Sequence, residues 1–254
     1  MKHTFAAAAF IVAWPLCGSA QSPSTTLRLD AGVSWTVRRD LSASPLAFGG
    51  LGADAAVTLE RDLERTSLQL FLRDSERHMS SAATPPASER VMQTQAGAGF
   101  LRRLNHPESG IGELRLGLMI ESSLALTTHH YADPTHRVSS FVFHATTMGP
   151  VVAWRKAMLD GYLRAQLSTP IVGVVVHSYS VVNEEGDATT RRVVTPAALR
   201  ELSGSVSFAP VTTRRLGVIY TYRIDASRYD DIQSVRSASQ SVTIGAVLEL
   251  GRTP

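Results

Sequence analysis

The chain has 254 residues, of which 44% are hydrophobic and 19% are charged, and its formal net charge at pH 7 is +3. This composition fits one large β domain or two small domains and excludes an intrinsically disordered chain. The charge balance gives no indication of nucleic-acid binding. The single cysteine, Cys17, excludes an intrachain disulfide and a cysteine-based zinc site.

The N-terminal segment has the pattern of a secretory signal peptide. Lys2 precedes the apolar stretch Phe5–Trp14, and small residues from Gly18 to Ala20 precede Gln21. The apolar stretch is too short for a membrane-spanning helix, which needs about 20 residues. We therefore expect residues 1–20 to be a cleaved signal peptide and residues 21–254 to form the mature domain.

Alternation of apolar and polar residues recurs along the mature chain. In Leu27–Val37 the odd positions are mostly apolar and the even positions polar, which places the two sets on opposite faces of a strand. This pattern predicts ten strands: Leu27–Val37, Leu51–Glu60, Thr66–Arg73, Val91–Leu101, Gly112–Glu121, Phe141–Trp154, Tyr162–Thr169, Leu199–Phe208, Leu216–Ile224 and Ala238–Leu250. The alternation is weakest in the fourth segment, and the sixth is apolar on both faces in places.

The predicted connections alternate in length. Arg61–Arg65, Ala157–Gly161 and Pro210–Arg215 are short, and Arg102–Gly110 is less regular. The other side carries Arg39–Gly50, Asp74–Glu89, Thr128–Ser139, His177–Ala197 and the shorter Ser227–Val235. Transmembrane barrels have short periplasmic turns and long outer loops. We expect an all-β fold, a ten-stranded antiparallel up-and-down transmembrane β-barrel.

The alternation alone does not decide which face points outward, because a soluble barrel buries its apolar face and a membrane barrel turns it toward lipid. The signal peptide, the strand lengths and the loop asymmetry favour the membrane barrel. Arg115 and Arg164 should then point into the lumen. The residues predicted to face lipid are Leu29, Val33, Val57, Leu70, Leu116, Val218 and Ile244.

Together these features resemble the small outer-membrane β-barrel proteins of Gram-negative bacteria, over nearly the whole mature chain. The stretch Tyr162–Tyr179, YLRAQLSTPIVGVVVHSY, is similar to a segment in uncharacterised members of that class. The resemblance implies location in the outer membrane. Such barrels usually end in an aromatic residue, whereas this chain ends in Pro254.

Charges of both signs lie on the predicted polar faces. They are Arg28, Asp30, Asp54, Glu60, Arg73, Glu113, Arg115, Glu121, Arg164, Arg223 and Asp225. In a narrow lumen, opposite charges should pair and hold the barrel closed, because unpaired buried charge is costly. The alternative is a selective pore lining.

A second group of candidates lies in the predicted loops. His129, His130, Asp133 and His136 fall in one long connection, and Asp230 and Asp231 fall in another. Imidazole and carboxylate groups together can bind zinc or act as acid and base. The spacing fits no helical zinc motif, so solvated loop tips are the preferred interpretation. Omptin-type outer-membrane proteases also have ten strands, but the chain lacks their Asp-x-Asp and Asp-x-His spacings.

The remaining motifs do not indicate an enzyme. The Gly-rich stretch at Phe48–Gly52 lacks the Lys-Ser/Thr of a phosphate loop, and no Gly-x-Ser-x-Gly sequence occurs. The pairs Arg38-Arg39 and Arg191-Arg192 are expected on the outer side, where they could meet lipopolysaccharide phosphates as well as solvent.

We therefore expect a non-enzymatic outer-membrane barrel with a structural, surface-interaction or narrow-channel role. We expect it to contact outer-membrane lipid and lipopolysaccharide, and to use no metal, cofactor or nucleic acid. Two alternatives remain open: a soluble secreted β-barrel that binds an apolar ligand, and a membrane-embedded hydrolase that uses the third and fifth long loops.

Overall fold

The described part of the chain is built from twelve β-strands. The computed structural model describes residues 24–40, 46–82, 86–105, 110–131, 139–158, 160–181, 188–210, 216–230 and 234–250. The strands are β1 (Ser24–Asp40), β2 (Ala47–Asp62), β3 (Thr66–Ser81), β4 (Ala87–Arg103), β5 (Glu113–Tyr131), β6 (Ser139–Met158), β7 (Gly161–Ser168), β8 (Val172–Val181), β9 (Ala188–Val194), β10 (Leu199–Pro210), β11 (Leu216–Asp230) and β12 (Ser234–Leu250). No helix within these ranges is long and apolar enough to cross a membrane. The predicted signal peptide lies outside the described residues.

The strands close into an antiparallel barrel. Strand β1 pairs with β2 on one side and with β12 on the other, so the first and last strands are neighbours. The ring continues through β3, β4, β5, β6, β7, β10 and β11, and it contains ten strands. Closure removes the free edges that an open sheet would present to lipid, where unpaired backbone groups are costly.

Two of the ten strands of the ring are followed or preceded by an additional short strand near one end of the barrel: β8 follows β7, and β9 precedes β10. After β7, residues 169–171 leave the regular ladder, and β8 continues along β6 from Met148 to Ser139. Strand β9 pairs with β8 and reaches β10 through a turn at 195–198, where the Ala198 and Leu199 amides donate to the Thr195 carbonyl. These interruptions explain why ten predicted strands appear as twelve.

All ten predicted segments are strands, but the predicted connections at the second side are wrong in extent. Strand β3 runs on to Ser81 and β5 to Tyr131, so much of the expected loop sequence is ladder. The pairing of β5 with β6 extends from Glu113 to His129. Beyond the apolar segment both faces of these strands carry polar residues, which hides the alternation without breaking the backbone hydrogen bonds. We call the end of the barrel with these extended strands the loop end, and the opposite end, at residues 63–65 and at Asp160, the turn end.

The outer face of the barrel is apolar, as the membrane orientation requires. All seven residues predicted to face lipid are exposed; Val33 is 64% exposed and Leu116 is 43% exposed. Their neighbours Asp30, Ser34 and Arg115 are buried inside the barrel. The prediction that Leu116 points outward is confirmed, and the soluble barrel with an apolar interior is the wrong alternative.

Inside, small residues allow the strands to approach closely. A Cβ atom built on Gly117 would lie 1.8 Å from the carbonyl oxygen of Phe100 on β4, far inside van der Waals contact. Glycine is therefore required at this position for β4 and β5 to approach as they do.

Candidate functional site in the barrel interior

A buried arginine crosses the middle of the lumen. Arg73, on β3, donates to Asp54 Oδ2 on β2 at 2.9 Å and to Asp225 Oδ2 on β11 at 2.8 Å. Strands β3 and β11 are four positions apart around the ring. The Arg73 side chain is 6% exposed and the Asp54 side chain 2%. This cluster therefore joins distant walls of the barrel by charge-assisted hydrogen bonds.

A second ion pair joins opposite walls nearer the turn end. Arg164, on β7, pairs with Glu60 on β2, five positions around a ring of ten. Arg28, on β1, donates to its strand neighbour Asp30 and, at 2.6 Å, to the Thr221 hydroxyl on β11. The Arg164–Glu60 and Arg28–Thr221 contacts therefore join strands that are not neighbours in the ring, whereas the Arg28–Asp30 pair lies within β1.

The turn end carries a further group of paired charges. Arg115 pairs with Asp62 and with Glu113, and Arg103 donates to the same Glu113 carboxylate at 2.8 Å. Arg155 lies 3.6 Å from Asp62 and stacks over Tyr162, with its guanidinium carbon 4.6 Å from the ring centroid. At this end three arginines are thus paired directly with two carboxylates.

All eleven residues predicted to form the lumen charge network point into the barrel. Arg223 donates to Asp225 at 2.9 Å and to the Ser203 hydroxyl at 2.9 Å. Glu121 lines the larger cavity of the lumen, described below, together with Arg73 and Arg223. Ten of the eleven residues take part in ion pairs, which are centred on Arg73, Arg164 and Arg115 or belong to the separate Arg28–Asp30 pair.

In the described part of the chain, two cavities of unequal size lie on either side of Arg73 in the lumen. On the turn side of Arg73, a cavity of about 670 Å³ is lined by charged groups and by many Ser and Thr hydroxyls. On the loop side a smaller cavity has a volume of about 90 Å³ and is lined by Arg38, Arg77, Gln93 and others. Arg73 and Asp225 contribute to its wall, so the central cluster is near the division between the two.

Two clusters of apolar side chains lie in the interior at the loop end and line part of the smaller cavity there. One cluster contains Phe48, Met79, Ala87, Val91 and Ala125; a second contains Ala145, Val175, Val194, Leu199 and Tyr229. Phe143 packs against both clusters. The polar lumen is thus capped on this side by a small hydrophobic core.

Neither a protein-family model nor a curated protein sequence matches this chain significantly. Solved structures do match. The outer-membrane protease OmpT from Escherichia coli has a TM-score of 0.59 at 10% sequence identity, over 93% of this chain and 99% of that chain. The translocator domain of the autotransporter NalP from Neisseria meningitidis has a TM-score of 0.44 at 11% identity, over 89% of this chain and 88% of that chain.

The chain has the fold of an outer-membrane β-barrel protein. At 10% identity, the similarity to OmpT extends to the fold and no further. The barrel's interior must therefore be interpreted from its own residues.

One predicted loop residue of this outer-membrane barrel lies elsewhere than expected. His129 belongs to β5, is fully buried, and its ring packs between Phe48 and Phe141 at centroid distances of 5.4 and 5.3 Å. Its Nε2 atom lies 3.6 Å from Glu89 Oε1. The interpretation of His129 as a solvated loop tip is wrong, because the inward alternation of β5 continues through Thr127 to this residue.

The other predicted loop candidates do not form a described cluster. His130 points outward and is exposed, and Asp230 ends β11, where it pairs with Arg228. Asp133, His136 and Asp231 lie outside the described residues. Within the described ranges, no group of three or more His, Cys, Asp or Glu side chains is arranged to hold a metal ion.

For one of the two arginine pairs expected at the outer side of the membrane, Arg38-Arg39, the structure corrects the expectation that both arginines are available to lipopolysaccharide or solvent. Arg38 is buried inside the barrel, where it donates to the Thr127 hydroxyl at 2.8 Å and lies 3.4 Å from Glu89. Arg39 points outward. Adjacent residues on a strand face opposite sides, so a pair of arginines cannot share one face. The side chains of Arg191 and Arg192 lie outside the described residues.

The sequence interpretation missed several interior charges, among them Arg38, Asp62, Arg77, Glu89 and Arg155. These five lie on the inward side of strands that continue beyond the predicted bounds, or at the turn-end rim. Continuing the alternation of inward and outward positions past the last apolar residue of each strand would have found Arg38, Arg77 and Glu89.

Proposed function

We propose that this chain is an outer-membrane protein with a barrel closed to ions and solutes. In this proposal the interior charges are structural and do not line a conducting pore. The observation that carries the proposal is the Arg73 cluster, which joins β2, β3 and β11 through a buried guanidinium.

A second barrier in series supports closure. The apolar clusters around Phe48 and Tyr229 occupy the loop end, where a hydrated ion would have to lose its water against hydrocarbon. A conducting pathway would require both this core and the central ion pairs to open. The large cavity on the turn side would then be a blind pocket, reached from the turn end.

Electrical recording on the refolded barrel tests this proposal. In planar lipid bilayers we expect no conductance steps from the wild-type protein. We expect none from Arg73→Ala alone, because the apolar core remains, and none from a Phe48→Ala/Tyr229→Ala variant, because the central cluster remains.

Combining the three substitutions should produce conductance, since both barriers are then reduced. Correct folding of each variant can be checked by heat-modifiable mobility in denaturing gels. Conductance steps from the folded wild-type barrel would contradict the proposal, and so would a triple variant that inserts and stays silent.

The partners in this proposal are membrane lipids. The exposed apolar face supports contact with acyl chains around the whole barrel, from Leu29 on β1 to Ile244 on β12. Lipopolysaccharide is the proposed partner at the loop end.

A further inference from the structure

Four arginines lie side by side across four neighbouring strands near the loop end. Arg39 on β1 is directly opposite Arg236 on β12; Arg236 is opposite Arg228 on β11; and Arg228 is opposite Arg200 on β10. Each occupies an outward-facing position of its strand. We call these four residues the arginine row.

Among the described residues, the arginine row concentrates more positive charge than the neighbouring outward carboxylates balance. Directly opposed residues in an antiparallel pair have Cβ atoms about 4.5–5.5 Å apart, and like charges so placed are destabilising. In the described part of the chain, Asp230 supplies the one carboxylate among the outward positions beside the row, and it pairs with Arg228. Arg236 has an arginine on both sides. An external anion bound to the arginine row would reduce the repulsion between these guanidinium groups.

The row borders the lipid-facing surface. Along the strands, the outward positions next to it toward the turn end are apolar: Val37, Ala238, Ala226 and Leu202. Trp35, exposed on β1, marks the kind of interfacial position that tryptophan favours in membrane barrels. From the rise and tilt of membrane strands, Arg39 lies about 10 Å beyond Trp35 along the barrel axis. That depth corresponds to lipid headgroups.

We propose that the arginine row binds the phosphate groups of lipopolysaccharide, a phosphorylated glycolipid. This inference rests on the proposed outer-membrane location of the barrel. Guanidinium groups bind phosphate oxygens through paired, charge-assisted hydrogen bonds. A lipid is preferred to a soluble anion because the row meets the apolar face directly, so one molecule can place its phosphates on the arginines and its acyl chains on the strands below.

The effect of an arginine substitution on stability should change sign when lipopolysaccharide is added to the vesicles, and this distinguishes a lipopolysaccharide site from a merely charged surface. The Arg236→Gln variant should be more resistant to urea than wild type in phosphatidylcholine vesicles, because one guanidinium between two others is removed. In vesicles that also contain lipopolysaccharide, the wild-type barrel should be the more resistant. The Arg39→Gln/Arg236→Gln variant should bind lipopolysaccharide at least tenfold more weakly than wild type.

Three controls make the result specific. Arg90→Gln removes an outward arginine near the same end that already pairs with Glu76 at 2.6 Å, and it should leave lipopolysaccharide affinity unchanged. Dephosphorylated lipopolysaccharide should not stabilise the wild type. Inorganic phosphate should give no comparable stabilisation; equal stabilisation would overturn the lipid assignment.

The outcomes also separate this proposal from the proposed function. The wild-type protein could insert into vesicles and show no conductance, yet respond identically to both forms of lipopolysaccharide. That result would overturn the proposal that the arginine row binds lipopolysaccharide and would leave the proposed function intact. Unchanged affinity in the double variant would do the same. Failure of the refolded protein to insert into any vesicle would overturn the outer-membrane location and this inference with it.

Discussion

Removing Arg73 should weaken the barrel more than removing any exposed arginine. An Arg73→Leu variant leaves the Asp54 carboxylate, whose side chain is 2% exposed, with Arg77 at 4.0 Å as its nearest cation among the described ion pairs. Asp225 keeps its 2.9 Å contact with Arg223. Breaking a buried ion pair by deleting one partner costs about 3–5 kcal/mol. Because one of the two carboxylates retains a close partner, we expect about 3 kcal/mol, at the lower end of that range.

The assay is equilibrium unfolding in urea, in lipid vesicles, followed by tryptophan fluorescence and heat-modifiable gel mobility. A loss of about 3 kcal/mol lowers the folding equilibrium constant by roughly a hundredfold. Arg90→Leu is the matched control: its ion pair with Glu76 is half exposed, and exposed pairs contribute about 0–1 kcal/mol.

A double variant identifies the cause of the loss. Arg73→Leu/Asp54→Asn removes the arginine together with the carboxylate that it leaves unpaired, so it should be more stable than Arg73→Leu alone. An Arg73→Leu protein as stable as Arg90→Leu would refute the reasoning, and it would mean that lumen water solvates Asp54 as well as the guanidinium does.

Two further substitution pairs test the outer face and the close strand approach. Leu116→Arg places a charge on the lipid face at a cost of about 2–4 kcal/mol, whereas Arg115→Leu leaves its acidic partners near other arginines. Leu116→Arg should therefore impair assembly in lipid far more than Arg115→Leu does. If the barrel tolerated both substitutions equally well, the assigned orientation would be contradicted. Gly117→Ala puts a methyl group 1.8 Å from the Phe100 carbonyl oxygen and should impair refolding. Gly204→Ala meets nothing nearer than 3.5 Å and should refold normally, as heat-modifiable mobility would show.

The sequence by itself determined the strands and their two faces. In Leu27–Val37 and Leu216–Ile224 the period of two is imposed by the extended backbone, so apolar and polar sets separate wherever such a strand forms. The same period assigned Leu116 to the outer face and Arg115 to the lumen. The signal-peptide pattern, the strand lengths and the loop asymmetry then favoured the membrane barrel over a soluble one.

The alternation of apolar and polar residues was less informative where both faces of a strand are polar. The alternation of β5 continues to His129, but Ser122 and Thr128 interrupt the apolar outer face, and a strand end was predicted too early. Burial of His129 between two phenylalanines depends on side chains contributed by β2 and β6. Nothing local to the His129 sequence specifies those neighbours.

Only the tertiary structure decided which charges meet. Arg164 and Glu60 are separated by 104 residues, and Arg73 and Asp225 by 152, and each pair is brought together by ring closure. The arginine row depends likewise on the registers of three strand pairs, any of which could slip by two residues without changing which face is apolar. Alternation records the face of each residue, whereas the partner across the lumen or along the surface is fixed by register and closure, which are properties of the whole sheet.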